Sequence, residues 1–212
     1  MYSKNYYSRH ANGSLNSANR ILSLLSEFIH PNSVADIGCG TGTWGFTAEK
    51  IWGAQIFAFD RHRYDDCDMY ISAEKYFQCD LRQKTRLGRY DLAICVEVIE
   101  HIDQNYEDIV IDNLCACSDT LLFSGALPFQ GGTGHINERP FSYWLEKFNM
   151  RGYTMIQDIR WSIWDQSDIE IWYRNNIMFL MKTTTKNKPT PYPVDIIHPQ
   201  MLERILLKRG VL

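Results

Sequence analysis

The chain has 212 residues, 45% of them hydrophobic and 22% charged, with a formal net charge of −3 and a pI near 6.1. That length suits one domain with a full core. The acidic balance leaves no basic footprint for a long nucleic acid, and no apolar run approaches the ~18 residues needed to cross a bilayer. The N-terminal MYSKNYYSRH is polar and aromatic, without the apolar stretch of a secretory signal. Six scattered cysteines (Cys39, Cys67, Cys79, Cys95, Cys115, Cys117) read as reduced core thiols of a cytoplasmic protein.

In chain order, Asn16–Ile29 has helical periodicity, with Ile21, Leu24, Leu25 and Phe28 on one stripe. Short β-rich runs follow at Ser33–Ile37, Gln55–Asp60, Tyr76–Asp80, Asp91–Val96 and Thr120–Ser124, with helical segments at Gly42–Trp52, Gln104–Cys115 and Phe141–Met150. Two further strand candidates, Tyr153–Trp164 and Asn176–Thr183, are joined closely enough to suggest an antiparallel pair. The polar, proline-rich run KTTTKNKPTPYP and a short terminal helix, Gln200–Lys208, complete the chain. Strand–helix alternation implies an α/β fold: a three-layer, Rossmann-like sandwich with a mostly parallel sheet and an antiparallel strand pair at one end. One domain fills residues 1–212, divided into an N-terminal lid and helix (1–30), a core (30–182) and a C-terminal loop and helix (183–212).

The most informative segment is VADIGCGTGTWG, where an apolar strand runs into Gly38, Gly40 and Gly42 before a helix. Glycines there permit a tight turn and let backbone N–H groups approach a ligand at the helix N-terminus. Such a junction is where open α/β sheets bind ligands. The next strand ends in Asp60, 18 residues past Gly42, where an acid commonly accepts from ribose hydroxyls. A dinucleotide fingerprint wants glycine or alanine where Thr43 stands. Asp36 would also repel a pyrophosphate, but it suits a cationic ligand, an ammonium or a sulfonium.

DIGCGTG resembles the first motif of class I S-adenosylmethionine-dependent methyltransferases, and the resemblance extends over roughly residues 30–182. That family has seven strands, which matches five plus the terminal pair. The resemblance implies that Asp36 and the backbone of Gly38, Cys39, Gly40 and Gly42 hold the methionine end of S-adenosylmethionine. It implies that Asp60 takes the ribose hydroxyls and that Arg61 lies over the adenosine. FQCDL resembles the third-strand end, where Asp80 meets the adenine amino group and Leu81 packs nearby. YDLAICVEVIEHI resembles the fourth strand and its exit, where Val96 and Glu97 line the cofactor.

The exits of the fourth and fifth strands should face one cleft. They carry Glu97, Glu100 and His101, and His135, Asn137, Glu138 and Arg139. An imidazole can take a hydroxyl proton at neutral pH, so His101 and then His135 are the candidate catalytic bases. Glu97, Glu100, His101 and His135 together could instead bind a divalent cation such as Mg²⁺, which would orient the acceptor and lower its pKa. That pattern resembles the metal-using members of the family, the small-RNA 2′-hydroxyl and ubiquinone-pathway O-methyltransferases. The bland alternative is that Glu100 caps a helix start and Glu97 only contacts the cofactor.

The loop and helix GGTGHINERPFSYWLEKF form the expected specificity element, similar to loops of small-molecule and saccharide O-methyltransferases. Phe141, Trp144, Leu145 and Phe148 at helical spacing read as core, leaving Asn137 and Arg139 to face substrate. Tyr2, Tyr6, Tyr7 and His10 form an aromatic segment that either folds over the cofactor, bringing Tyr7 to the substrate, or stays unanchored. Trp161, Trp164 and Trp172 surround DQSD at a hairpin-like place. A sugar stack, core packing and a homodimer contact all remain open there. The best reading is methyl transfer to a hydroxyl of a small molecule, a sugar or a natural-product intermediate. The alternatives are a Mg-dependent 2′-O-methyltransferase of an RNA end and a nucleotide-binding module without methyl transfer. A duplex nucleic acid or a membrane is not expected as partner.

Overall fold

Along each central strand, successive side chains enter opposite apolar cores. Ala35, Ala93, Cys95, Leu121, Phe123 and Leu180 belong to one core, and Val34, Leu92, Ile94, Val96, Leu122 and Phe179 to the other. A computed structural model describes residues 4–62, 69–157, 159–183 and 193–212, with only the backbone of 4–10 and 157. The strands are β1 (Ser33–Ile37), β2 (Gln55–Asp60), β3 (Tyr76–Gln78), β4 (Leu92–Val96), β5 (Thr120–Ser124), β6 (Tyr153–Gln157) and β7 (Met178–Lys182). They form one seven-stranded sheet in the order β3-β2-β1-β4-β5-β7-β6. Only β7 runs against its neighbours: it is antiparallel to both β5 and β6.

Helices cover both faces. On the second core lie α1 (Lys4–Leu25) and α2 (Thr43–Trp52), through Ile21, Leu22, Leu25, Trp44 and Ala48. The first core is closed by α3 (Glu107–Cys117) and α4 (Phe141–Asn149), through Val110, Ile111, Leu114, Trp144 and Phe148. Between β6 and β7 run two short helices, α5 (Arg160–Ile163) and α6 (Ile171–Asn176), and α7 (Pro199–Lys208) ends the chain. No helix among the described residues is long and apolar enough to cross a membrane.

Two expectations change. The N-terminal helix starts at Lys4 rather than Asn16, so residues 4–15 are helix as well. Its anchors are tertiary: Ser14 Oγ meets Thr43 Oγ1 at 2.7 Å, and Gly13 lets the helix approach Glu170, whose Oε1 would lie 2.1 Å from an added Cβ. The β6 strand stops at Gln157, and the region around Trp161, Trp164 and DQSD is a helix–turn–helix rather than a hairpin. There Arg160 is buried against the Phe141 ring at 3.7 Å, and its Nη1 donates to the Val194 carbonyl. The expectations for Tyr2, Tyr6, Tyr7, His10 and Cys67 concern side chains outside the described residues.

Phe148 is fully buried, edge-on to Phe123 at 4.9 Å and to Tyr153 at 6.2 Å. Phe148→Ala is expected to cost about 3–5 kcal/mol, read as a lower urea midpoint at unchanged slope.

Candidate active site

The turn after β1 is built by strand-end groups. Gly38 N and Cys39 N both donate to the Phe59 carbonyl, at 2.7 and 3.1 Å. Gly40 N donates to Asp60 Oδ2 at 2.9 Å, and Gly45 N, in the first turn of α2, to Asp36 Oδ2 at 2.8 Å. Gly38, Gly40 and Gly42 have φ of 73, 54 and 84°, the left-handed region that favours glycine. Space tightens the requirement: a Cβ at Gly38 would lie 2.4 Å from Val98 Cγ2, and one at Gly42 2.6 Å from Ile71 Cγ1. The turn opens on a cavity of about 560 Å³ lined by Asp36, Gly38, Cys39, Gly40, Asp60, Arg61, Asp80, Leu81, Val96 and Glu97. Ten of the eleven expected cofactor residues thus line one space; Gly42 shapes it from behind.

Electrostatics differ among the three aspartates. Burial pushes Asp36 up to about 7, against the Gly45 hydrogen bond, and among the described residues no donor is seen at its Oδ1. Burial also raises Asp60, partly offset by bonds from the N–H groups of His62 and Gly40. Asp80 is held down at about 2 by a bidentate grip from Arg82, with contacts of 2.6–3.2 Å, and Arg61 Nε lies 3.9 Å away. Its carboxylate therefore serves Arg82 first. Cys39 lies in the cavity wall, where burial and the charges of Asp36 and Asp60 keep the thiol protonated.

The β4 and β5 exits meet on the same cavity, which Glu97, Glu100, His101, Gln130, Gly131, Gly132, His135 and Ile136 also line. Glu97 has φ 54°, strained for a non-glycine residue, a conformation that survives only where its surroundings hold it. Here they do: Glu97 N donates to Ser124 Oγ at 3.0 Å. Ser124 Oγ, Gln130 Nε2 and Asn176 Nδ2 donate back to its carboxylate at 2.8, 3.3 and 3.4 Å. Glu100 is fully buried, and among the described residues neither carboxylate oxygen has a hydrogen-bond partner. Burial, then the nearby charge of Glu97, pushes it well up.

The two imidazoles meet edge-on, with ring centroids 5.0 Å apart. His101 Nδ1 lies 3.2 Å from the Gly134 carbonyl, and His135 Nδ1 lies 3.0 Å from Glu138 Oε1. Both partners accept, so each ring presents an Nδ1–H to its partner. Burial and the His135 ring lower His101, so it is neutral at physiological pH. Glu138 also takes the N–H groups of Phe129 and Gly131, at 2.8 and 2.6 Å, and so fixes the glycine loop and His135 together.

Of the expected metal ligands, Glu100, His101 and His135 offer ligand atoms within 4.8 Å of one another. Glu97 stands outside that group, committed to Ser124, Gln130 and Asn176. The cavity lining does not include Asn137 or Arg139. Asn137 is buried with Nδ2 on Glu107 Oε2 at 3.1 Å. Arg139 bonds Asn137 Oδ1 and Gln104 Oε1 at 2.9 and 2.6 Å. Asn137 thus ties the loop to α3, and Arg139 ties it to Gln104 just ahead of α3.

A family model described as "Methyltransferase domain" matches residues 7–156. The chain belongs to the methyltransferase-domain family. It is an S-adenosylmethionine-dependent methyltransferase of class I. Solved structures with the same fold include the methyltransferase domain of bacterial CtHen1-C, at 18% identity and TM-score 0.57, covering 82% of this chain and all of that one. Magnesium protoporphyrin IX methyltransferase from Synechocystis PCC 6803, solved with its cofactor, matches at 17% identity and TM-score 0.58 over 81% and 80% of the chains. Human N-acetylserotonin methyltransferase matches at 13% and 0.53, over 85% and 54%. No curated protein is similar enough in sequence to match.

The methyltransferase's residues fit its cofactor: a turn that excludes side chains at 38 and 42, and a buried carboxylate with one oxygen that meets no donor among the described residues. Sequence reasoning missed Ser14, Ile71, Ser124, Gln130 and Asn176, which brace this site from scattered positions. Only the buried amides of RNN ahead of an apolar strand carried a signal.

Asp36 generates a pH dependence. Its folded value lies above the unfolded one, so the stability it contributes is present below about pH 4 and lost as pH rises through about 7. A cationic ligand favours the carboxylate and expels that proton. S-adenosylmethionine affinity should therefore rise about tenfold from pH 6 to 8, measured by calorimetry, and flatten in Asp36→Asn. A flat wild-type profile would contradict the assignment. Gly38→Ala, which meets Val98, should abolish cofactor binding.

Proposed function

We propose that this methyltransferase moves a methyl group onto a hydroxyl of a small molecule, a sugar or a natural-product intermediate, with His101 or His135 as the base. The observation that carries this reading is the pair of imidazoles in the lining of the cofactor cavity, edge-on to each other and each with Nδ1 at a fixed acceptor. When bound, the cofactor supplies an electrophilic methyl group on a sulfonium. Asp36, the glycine turn and Asp60 would hold it at one end of the cavity. The chain's remaining tasks are to align the acceptor, which can supply much of the rate in an in-line displacement, and to take its proton at Nε2. Burial keeps His101 neutral and so able to accept one. By their names, two of the solved neighbours are small-molecule methyltransferases, on magnesium protoporphyrin IX and N-acetylserotonin, which supports a small acceptor.

A second reading rests on Glu100. A buried carboxylate with no donor on either oxygen among the described residues, beside two imidazoles, fits a divalent cation such as Mg²⁺ as well as it fits a proton. Glu100, His101 and His135 would hold that ion, which would lower the pKa of the acceptor hydroxyl. This reading keeps a Mg-dependent 2′-O-transfer to an RNA end in play.

Methyl transfer from radiolabelled S-adenosylmethionine separates the two. His135→Ala should lower turnover by about 10²-fold or more with cofactor affinity unchanged. Full wild-type activity in EDTA supports the base alone. Loss that Mg²⁺ restores supports the cation. Unimpaired turnover in both His101→Ala and His135→Ala would contradict both.

A further inference from the structure

At its cofactor end the cavity pairs its arginines: Arg82 Nη2 lies 2.6 Å from Asp80 and Arg61 Nε 3.9 Å from it. Elsewhere in the lining α6 contributes Trp172 and Tyr173, and α7 contributes Met201 and Arg204. Among the described residues Arg204 has no carboxylate within 4 Å, and its guanidinium is held over the Trp172 indole, 5.2 Å from the ring centroid. Apolar contacts fix both partners: Met201 and Ile205 pack with Leu127 and Ile171, and Trp172 packs against them.

One turn beyond Arg204 stands Lys208, whose Nζ donates to the carbonyls of Gln130 and Gly131 at 2.9 and 3.0 Å. Like charges four residues apart on a helix are unfavourable. Burial and the Arg204 charge accordingly lower Lys208. Lys208 ties α7 to the loop that carries His135, where a Cβ on Gly132 would lie 2.2 Å from His135 Nε2. An unpaired guanidinium on an aromatic plate therefore faces the same cavity as the reaction centre.

We propose that Arg204, backed by Trp172, is an anion-binding subsite for the methyl acceptor, which is therefore a hydroxyl compound bearing a phosphate or a carboxylate. The inference rests on the small-molecule methyltransferase reading and adds a substrate class to it. The anionic group pairs with the guanidinium while its carbon framework reaches toward His101 and His135. Arg suits this task because its planar fork binds either oxyanion in a bidentate way.

The test uses full-length protein loaded with S-adenosylhomocysteine and titrated with glucose 6-phosphate, glucuronate and neutral glucose in a calorimeter. At least one anionic probe should bind tenfold or more tightly than glucose, and the stronger arm identifies phosphate or carboxylate. Arg204→Met, which keeps the stem on Trp172, should lose that tenfold preference with an unchanged melting temperature and S-adenosylhomocysteine affinity. Arg204→Lys should keep part of it. Equal binding of all three probes, no binding by any of them, or an intact preference in Arg204→Met overturns the proposal. Failure to bind S-adenosylhomocysteine at the outset overturns the cofactor assignment instead.

Discussion

The first turn of this sheet demands partners for a run of backbone N–H groups in conformations that favour glycine, and two strand-end carboxylates meet much of that demand. Asp36 reaches Gly45 in α2, and Asp60 reaches Gly40 in the turn. Each joins the end of a strand to a segment that must stay put for a ligand to be read by backbone. Because the carboxylates are buried, both lean toward the protonated form. A cation at the turn relieves that cost, and this favours a sulfonium over a pyrophosphate.

Everything on the acceptor side depends on a second set of ties. Glu97 holds a strained backbone at the β4 exit because Ser124, Gln130 and Asn176 surround its carboxylate. Gln130 in turn carries the glycine loop, and Glu138 and Lys208 clamp that loop from two sides. The loop thereby places His135 edge-on against His101. Rigid polar networks of this kind orient a base more precisely than packing alone, and they make the terminal helix α7 part of the active site.

The central strands were legible because buried parallel strands must be nearly continuous apolar runs. The bounds of β1, β2 and β5 coincide with the runs around VADI, IFAF and TLLF. The cofactor residues were equally legible, since glycines and acids at fixed offsets from strand ends have few other uses. Residues 4–15 gave no helical signal because α1 is held there by Ser14 and Gly13 meeting distant residues. Nothing in sequence reveals that Glu107 and Gln104 already bond Asn137 and Arg139. Trp172 and Arg204, 32 residues apart, become a pair only through the packing of α6 on α7.

The central claim is that the turn after β1 reads a sulfonium nucleoside rather than a dinucleotide. Parallel calorimetric titrations of the full chain with S-adenosylmethionine and with NAD test it most directly. The account predicts one saturable site for S-adenosylmethionine and no heat from NAD at the same concentrations. Saturable binding of NAD, or no binding of S-adenosylmethionine, would contradict it.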